Sequence, residues 1–523
     1  MKIKIDNFLA AFLVILLLSV FLHFYNLNQQ ITWVDEPIYI VAGTKLHLQK
    51  SGDALQWNFE HPPTAKYIIG ATTILSPSDK NPLLELSPNN YLGLGYPAVA
   101  KSIDDSLFFA RMSSAIFGIF LSIIIYLFAK DLYGKKAGLL AFLISTISID
   151  LLTWSRLAYL DIFLVFFFTS SVYLLYKIIS LNETQENKIK VKNQKILYSV
   201  LLGIFTGLTF TSKNTQPIPL LASIFILSLF YRKKIYNKHI LPYIIIPFFL
   251  STFLTIGNLE LFSKATFEYF GAANRQFSPN LIDNTVRILE RIQSPLLLLF
   301  AASIFYLHRK KEFLKNKIIL IPLVFAFFSF VFSVNTSHRY FLPLIPFFIL
   351  SISSLNLENK NLKLLILIML ALTFYSVIQF FPEYTLYTNI VDKATGNSYF
   401  WEEAGFAGLD EAAKYVSSNT NPEDLLFITQ DAIRYRLFDR NILAYEAGQG
   451  LLYLLDGRVG QTDNLFCEGI GKFKAFNMTT LIIQNPRLLD KSYCEGIKQI
   501  YDKEIPSHIV IKNDLDVIKI FKV

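Results

Sequence analysis

The feature that most limits how this chain can fold is the recurrence of long apolar runs. They fall at approximately 8–27, 108–129, 137–154, 161–180, 197–212, 215–231, 240–257, 295–307, 318–334, 341–355 and 362–381. Several come close to the roughly 20 residues that a helix needs to cross a bilayer. The chain of 523 residues is long enough for two or three soluble domains, but its side chains argue otherwise: 53% are hydrophobic, 17% are charged, and Phe alone occurs 48 times. Soluble domains carry roughly 25% charged residues. The expectation is a polytopic α-helical membrane protein with about eleven spans. The first run follows "MKIKIDNF" without a small-x-small cleavage pattern, so it reads as a retained helix and not a removed signal.

The net charge of +9 is then a matter of orientation and gives no reason to expect nucleic acid as a partner. One set of loops, "MKIK", "KDLYGKK", 188–195, "YRKKIYNK", "HRKKEFLKNK" and "NLENKNLK", is dense in Lys and Arg. The alternate set, 28–107, 155–160, 212–215, 259–294 and 335–340, is sparse for its length. Positive loops stay cytoplasmic. The alternation therefore places the N-terminus inside, and the 28–107 loop and everything after residue 381 outside the cell membrane.

Two domains are expected: a transmembrane part, 1–381, whose first outer loop 28–107 carries interfacial helices, and a soluble extracytoplasmic α/β domain, 382–523. Within the latter, "GLDEAAKYVSSN" has helical apolar spacing, while "LLFITQ", "TTLIIQ" and "DVIKIFKV" read as strands. The two cysteines, Cys467 and Cys494, both lie here. Either a disulfide or two thiols fits an outer compartment. The sequence holds no internal repeat and no Gly-rich phosphate loop.

Chemistry-bearing residues gather on the expected outer face. "ITWVDEPIYIVAG" sets Asp35 and Glu36 directly after the first run, and "QWNFEHPPTAKYIIGA" presents Glu60, His61 and Lys66 around a double proline suited to starting a helix. Its continuation, "TAKYIIGATTIL", has the pattern of a helix lying along the interface. "SRLAYLD" brings Arg156 and Asp161, "SKNTQ" brings Lys213, "AANRQF" brings Arg275, and "SHRYFLPLIP" brings Arg339 and Tyr340. Arg and Lys can hold and neutralise a phosphate leaving group, and a carboxylate can deprotonate an incoming hydroxyl. Taken singly, each has a structural alternative. Asp35 can be a hydrated acid at a helix exit, HPP a turn, Arg156 and Asp161 an interfacial ion pair, and Tyr340 a headgroup anchor.

These stretches, in this order, resemble the protein O-mannosyltransferases and their relatives. Those relatives include the bacterial aminoarabinose transferases that modify lipid A and other prokaryotic GT-C glycosyltransferases. The resemblance runs from about residue 8 to 416 and takes in "WVDEPIY", "FEHPPTAK", "ARMSSAIFGIF" through "WSRLAYLD", "LLGIFTGLTFTSKNT", "HRYFLPLIP" and "WEEAGFAGLDEAAKYV". It implies a GT-C fold of about eleven helices and an inverting enzyme that takes a single sugar from a dolichyl- or undecaprenyl-phosphate donor to a hydroxyl on protein, lipid or glycan. Asp35 occupies the position of the catalytic base, and Glu36 helps to tune or shape the site. Arg275, Arg339 and Tyr340, with Lys66 and Arg156, are matched to the donor phosphate, and Glu60, His61 and Asp161 to the acceptor side or to loop shaping. Glu60 loosely matches a metal-binding acid of the aminoarabinose branch, but its His partner has no equivalent in 259–294. A divalent metal is therefore possible and none is required. The two-Trp Asp-Tyr-Gly motif of oligosaccharyltransferases does not occur in the sequence. The rival readings are a glycan ligase or polymerase using lipid-diphosphate donors, and a transporter or flippase. The latter would call for charges buried mid-span and inverted repeats.

Overall fold

The computed structural model describes residues 7–28, 35–49, 61–87, 97–181, 188–213, 216–235, 240–256, 285–286, 289, 292–310, 313–331, 338–355, 360–381, 384, 408–428, 437, 441–446, 451–454, 459–461, 478–484, 495–512 and 515–522. Glu60, Arg275, Cys467 and Cys494 lie outside these residues, so their expected roles are not addressed by the structure.

Among the described residues, every apolar run is largely helical. Leaving aside the short turns Asn81–Glu85 and Arg232–Ile235, the helices in chain order are α1 (Asn7–Phe24), α2 (Glu36–Leu48), α3 (Thr64–Thr73), α4 (Pro97–Tyr133), α5 (Lys135–Thr146), α6 (Ile149–Ser155), α7 (Asp161–Ser180), α8 (Lys188–Phe210), α9 (Pro217–Phe230), α10 (Pro242–Ile256), α11 (Ser294–Lys310), α12 (Phe313–Val331), α13 (Ile345–Ile352) and α14 (Lys360–Gln379). A 3-10 segment, His338–Leu344, leads directly into α13. Among the described residues, α1, α4, α7 and α14 qualify as membrane spans by length and apolar character alone, and α5 with α6 makes a fifth if the bent pair counts as one. The chain is a multi-pass membrane protein.

Two departures from the sequence pattern shape the site. The run at 137–154 is not one straight helix: α5 and α6 meet at a 58° bend. The N-terminus of α6 is capped from elsewhere, with the Ile149 N–H donating to the Gln293 side-chain oxygen at 3.1 Å. The run at 108–129 belongs to a longer helix that starts at Pro97. Its first turns are mixed in polarity, so hydropathy does not mark them. They still bury Val99, Ala100, Ile103 and Leu107 on one face, which is the spacing of an amphipathic helix. Gly134, at φ 95°, makes the turn from α4 to α5, in a region that L side chains avoid.

The main core unites α2–α4, α7, α9 and α11–α13 through buried Phe, Leu and Ile, including Phe128, Phe163, Phe168, Phe341 and Phe347. By contrast, α1, α10 and α14 leave large apolar side chains uncovered, among them Leu17, Phe21, Phe253, Leu254, Leu364 and Tyr375. Outward apolar faces of this size suit contact with lipid.

A separate core lies toward the C-terminus. Strands β1 (Leu425–Ile428), β2 (Asn441–Glu446), β3 (Leu451–Leu454), β4 (Val459–Gln461), β5 (Met478–Gln484), β6 (His508–Lys512) and β7 (Leu515–Lys522) form one sheet of order 4-3-2-1-5-7-6. Central β1 runs parallel to β2 and β5, and the other pairings are antiparallel. Helix α15 (Leu409–Asn419) lays Leu409, Ala412, Ala413 and Val416 on Leu426, Ile428 and Ile482, and α16 (Glu495–Lys503) completes the α/β arrangement.

Candidate active site

The site is built around the start of α2. Asp35 is the residue before the helix, Glu36 lies in its first turn, and Pro37 occupies an early position where a missing N–H costs nothing. The two adjacent acids therefore leave the helix end in different directions and meet different partners.

Glu36 is fully buried and held by three donors. Arg111 of α4 grips it through both arms, Nε to Oε1 at 2.8 Å and Nη2 to Oε2 at 2.6 Å, and the Ala158 N–H donates to Oε1 at 2.7 Å. Arg111 Nη1 also donates to the Leu27 carbonyl at 2.9 Å. One carboxylate thus ties the end of the first helical segment, α2, α4 and the 155–160 loop together. Two parallel bonds from a guanidinium to a carboxylate fix orientation as well as distance.

Asp35 is 28% exposed, and its Oδ2 pairs with Arg339 Nη1 at 2.9 Å. Its backbone N–H donates to the Tyr159 hydroxyl at 3.4 Å. The Tyr159 ring stands edge-on to Tyr39 at 5.7 Å and to Trp154 at 5.6 Å, walling the carboxylate with aromatics. Burial, and then the Asp35 charge, push both the Tyr39 and Tyr159 hydroxyls well above their ordinary range, so both stay protonated hydrogen-bonding groups.

Cations collect beside this acid. Arg339 lies 5.1 Å from the Tyr159 ring centre and 5.6 Å from that of Tyr340. Lys213 sits 3.8 Å from the same Tyr340 ring and pairs with Asp161 at 2.5 Å, both side chains being buried. Asp161 opens α7, where the helix dipole also favours a negative charge. Tyr340 is itself fixed, its carbonyl accepting from Gln216 Nε2 at 2.5 Å. Two ion pairs, Asp35–Arg339 and Asp161–Lys213, thus flank one tyrosine ring.

The HPP segment completes the cluster. Pro63 precedes α3, as the double proline leads one to expect. Buried Lys66 donates to the His61 carbonyl at 2.7 Å. The Thr64 N–H donates to the Thr211 carbonyl at 3.2 Å and the two hydroxyls meet at 2.6 Å, which fastens α3 to the segment carrying Lys213. Burial, followed by the charges of Lys213, Lys66 and Arg339, holds the His61 imidazole well below its ordinary range, so the ring is neutral. Its Nδ1 is buried without a hydrogen-bond partner among the described residues. Helices α2 and α3 touch backbone to backbone: a Cβ on Gly43 would come within 2.6 Å of the Lys66 carbonyl, and one on Gly70 would strike the Gly43 backbone. The HPP helix is therefore packed into the protein, with Ala65, Ile69 and Gly70 buried.

Of the sequence-derived candidates, Asp35, His61, Lys66, Asp161, Arg339 and Tyr340 fall in this one cluster. Arg156 faces another way. It donates to the Leu22 carbonyl at 2.7 Å and lies 5.7 Å from the Tyr384 ring, bracing α1. The Arg156–Asp161 pair that their spacing permits gives way to Asp161–Lys213. Tyr39, Tyr159 and Arg111 are additional members. Arg111 had a visible signal, a charge inside the apolar run 108–129, whereas nothing local distinguishes the two tyrosines. Among the described residues, no group of three or more His, Cys, Asp and Glu is placed to hold a metal ion.

The family model of the dolichyl-phosphate-mannose-protein mannosyltransferases matches residues 59–263. A search of curated proteins finds no match. Among solved structures, ArnT from Cupriavidus metallidurans in the apo state aligns at TM-score 0.50 and 12% identity, covering 98% of this chain and 97% of that one. ArnT from the same organism bound to undecaprenyl phosphate aligns at TM-score 0.50 and 11% identity, with 98% and 97% covered. The oligosaccharyltransferase of Archaeoglobus fulgidus is a looser likeness that carries no weight, with TM-score 0.45, 13% identity, and 92% and 69% covered. The chain thus shares the fold of the ArnT structures, and residues 59–263 are similar to the dolichyl-phosphate-mannose-protein mannosyltransferases.

Proposed function

We propose that this chain is a glycosyltransferase that moves a single sugar, with inversion, from a polyprenyl-phosphate donor to a hydroxyl on the outer membrane face. Asp35 takes the acceptor proton, and Arg339, Lys66, Lys213 and Tyr340 receive the donor phosphate, with Arg275 as a further contributor. The observation that carries this reading is the half-open Asp35 carboxylate set against Arg339, beside a buried group of cations and a neutral histidine. A hydroxyl attacking an anomeric carbon needs a base on one side and charge neutralisation at the departing phosphate on the other. The ArnT structure with undecaprenyl phosphate supports a lipid monophosphate as the donor.

The proposal keeps the N-terminus cytoplasmic and the first outer loop outside. It assigns the 382–523 domain to the same outer face, as a cover that takes part in acceptor choice among protein, lipid and glycan. Glu36 serves the site by fixing the start of α2, and Arg156 by bracing α1.

The test is a transfer assay with the purified chain in nanodiscs and a panel of dolichyl- and undecaprenyl-linked sugars, offered as monophosphates and diphosphates. Turnover of a monophosphate donor alone is expected, and turnover of diphosphates alone would replace the proposal with a ligase or polymerase. Because side-chain cations meet the phosphate charge, EDTA is expected to leave activity in place. A loss restored by a divalent ion would instead assign a metal role to Glu60.

A further inference from the structure

The Arg339 guanidinium, which touches the proposed base, is only partly used. Nη1 pairs with Asp35, while the buried Nε has no hydrogen-bond partner among the described residues. A guanidinium carries five N–H donors in a rigid fork and binds phosphate through two of them at once. A buried, unused donor on a group already bonded to the proposed base is costly unless a second acceptor belongs there. The side chain is also held in place: it lies against both Tyr159 and Tyr340, and Tyr340 is fastened through Gln216.

The chemistry of transfer gives this arrangement a use. The bond from the anomeric carbon to the phosphate oxygen breaks, and its electron pair stays on the phosphate. A new bond forms from that carbon to the acceptor oxygen, and the acceptor proton passes to Asp35. Asp35 thereby loses one negative charge and the polyprenyl phosphate gains one. The sum of charge is unchanged, but its location moves. A single cation within reach of both groups has its charge already in place where the phosphate charge develops, and can shift its contact from one group to the other.

Resting on the donor assignment above, we infer that Arg339 is the shared counter-ion of the base and the leaving phosphate. It pairs with Asp35 before transfer and passes to the polyprenyl monophosphate as the proton moves. Asp35 and the lipid phosphate then compete for one guanidinium. This differs from the fixed clamp that Arg111 places on Glu36, where both arms of the guanidinium are taken.

Competition is measurable without turnover. The full chain in nanodiscs is titrated with undecaprenyl phosphate, using wild type, Asp35→Asn, Arg339→Gln and the double variant, each checked for folding by its melting temperature. Asp35→Asn is expected to tighten binding by about fivefold, the size of a half-exposed ion pair given up. In the Arg339→Gln background the same Asp35 change is expected to yield no gain. Unchanged or weaker binding by Asp35→Asn overturns the inference. So does a gain that persists in the double variant, since the effect would then be through-space charge alone. Should Arg339→Gln not fold, Arg339→Lys takes its place: the gain is expected to shrink, and a full gain overturns the inference. If wild type binds neither undecaprenyl nor dolichyl phosphate, the donor assignment falls and this inference with it. If wild type binds and Asp35→Asn does not tighten, the inference alone falls.

Discussion

Asp35 and Glu36 are neighbours in sequence, yet they sit in opposite physical situations. Glu36 has no exposed side-chain surface and is saturated by Arg111 and the Ala158 N–H. Asp35 keeps 28% of its side-chain surface open and has one guanidinium contact, to a cation with a donor to spare. A buried carboxylate held by two guanidinium bonds and a backbone N–H is fixed in place, and breaking those bonds would be costly. A half-open carboxylate with a single movable partner can change its charge. The pair divides the labour: one acid fixes the frame and the other remains available for chemistry.

The comparison is broken most severely by removing the clamp. Arg111→Met strands the Glu36 charge in the interior and is expected to cost about 3–5 kcal/mol of stability, read as a large drop in melting temperature in detergent. Arg339→Met at the half-open pair is expected to cost about 1 kcal/mol or less. Similar losses for the two would erase the distinction. An effect between these two is expected at the contact that seats α2 against α3. Gly43→Ala forces the helices apart and is expected to cost about 1–3 kcal/mol, with a melting temperature equal to wild type as the contrary outcome.

The smallest expected effect is acid sensitivity. In the folded chain the His61 pKa is held well below its ordinary value by burial and by Lys213, Lys66 and Arg339. Unfolded, the imidazole titrates near about pH 6.5. Below that pH the unfolded state binds more protons, so this part of the stability is complete above about pH 6.5 and declines as pH falls. Melting curves from pH 7.5 to 5 are expected to show a decline that His61→Asn lessens. An unchanged slope in that variant would place the acid sensitivity elsewhere.

The helices were legible in sequence because hydropathy in lipid is a strong local signal, and so was the half of the site that carries formal charge. Asp35 announced itself as an acid following a long apolar run, and Arg339 and Tyr340 as polar groups between two such runs. Their pairing was not legible, since Asp35 and Arg339 are 304 positions apart and only the fold brings them together. The first turns of α4 were missed because amphipathic packing leaves no continuous apolar run, and the bend between α5 and α6 because its cap comes from Gln293. Glu36 and Asp35 looked alike for a simple reason: adjacent acids differ only in what surrounds them. In the sheet, β5 and β7 were readable from their apolar runs, while the parallel placement of β1 between β2 and β5 is a long-range fact.

The central claim is that Asp35 takes the acceptor proton, and one rate tests it most directly. Single-turnover sugar transfer is measured for wild type and Asp35→Asn from a saturating polyprenyl-monophosphate donor, with melting temperature and donor affinity recorded for both. The account expects the folded, donor-bound Asp35→Asn chain to lose roughly 10²- to 10⁴-fold in rate, the range for removing a general base. Transfer at the wild-type rate by that variant would contradict it.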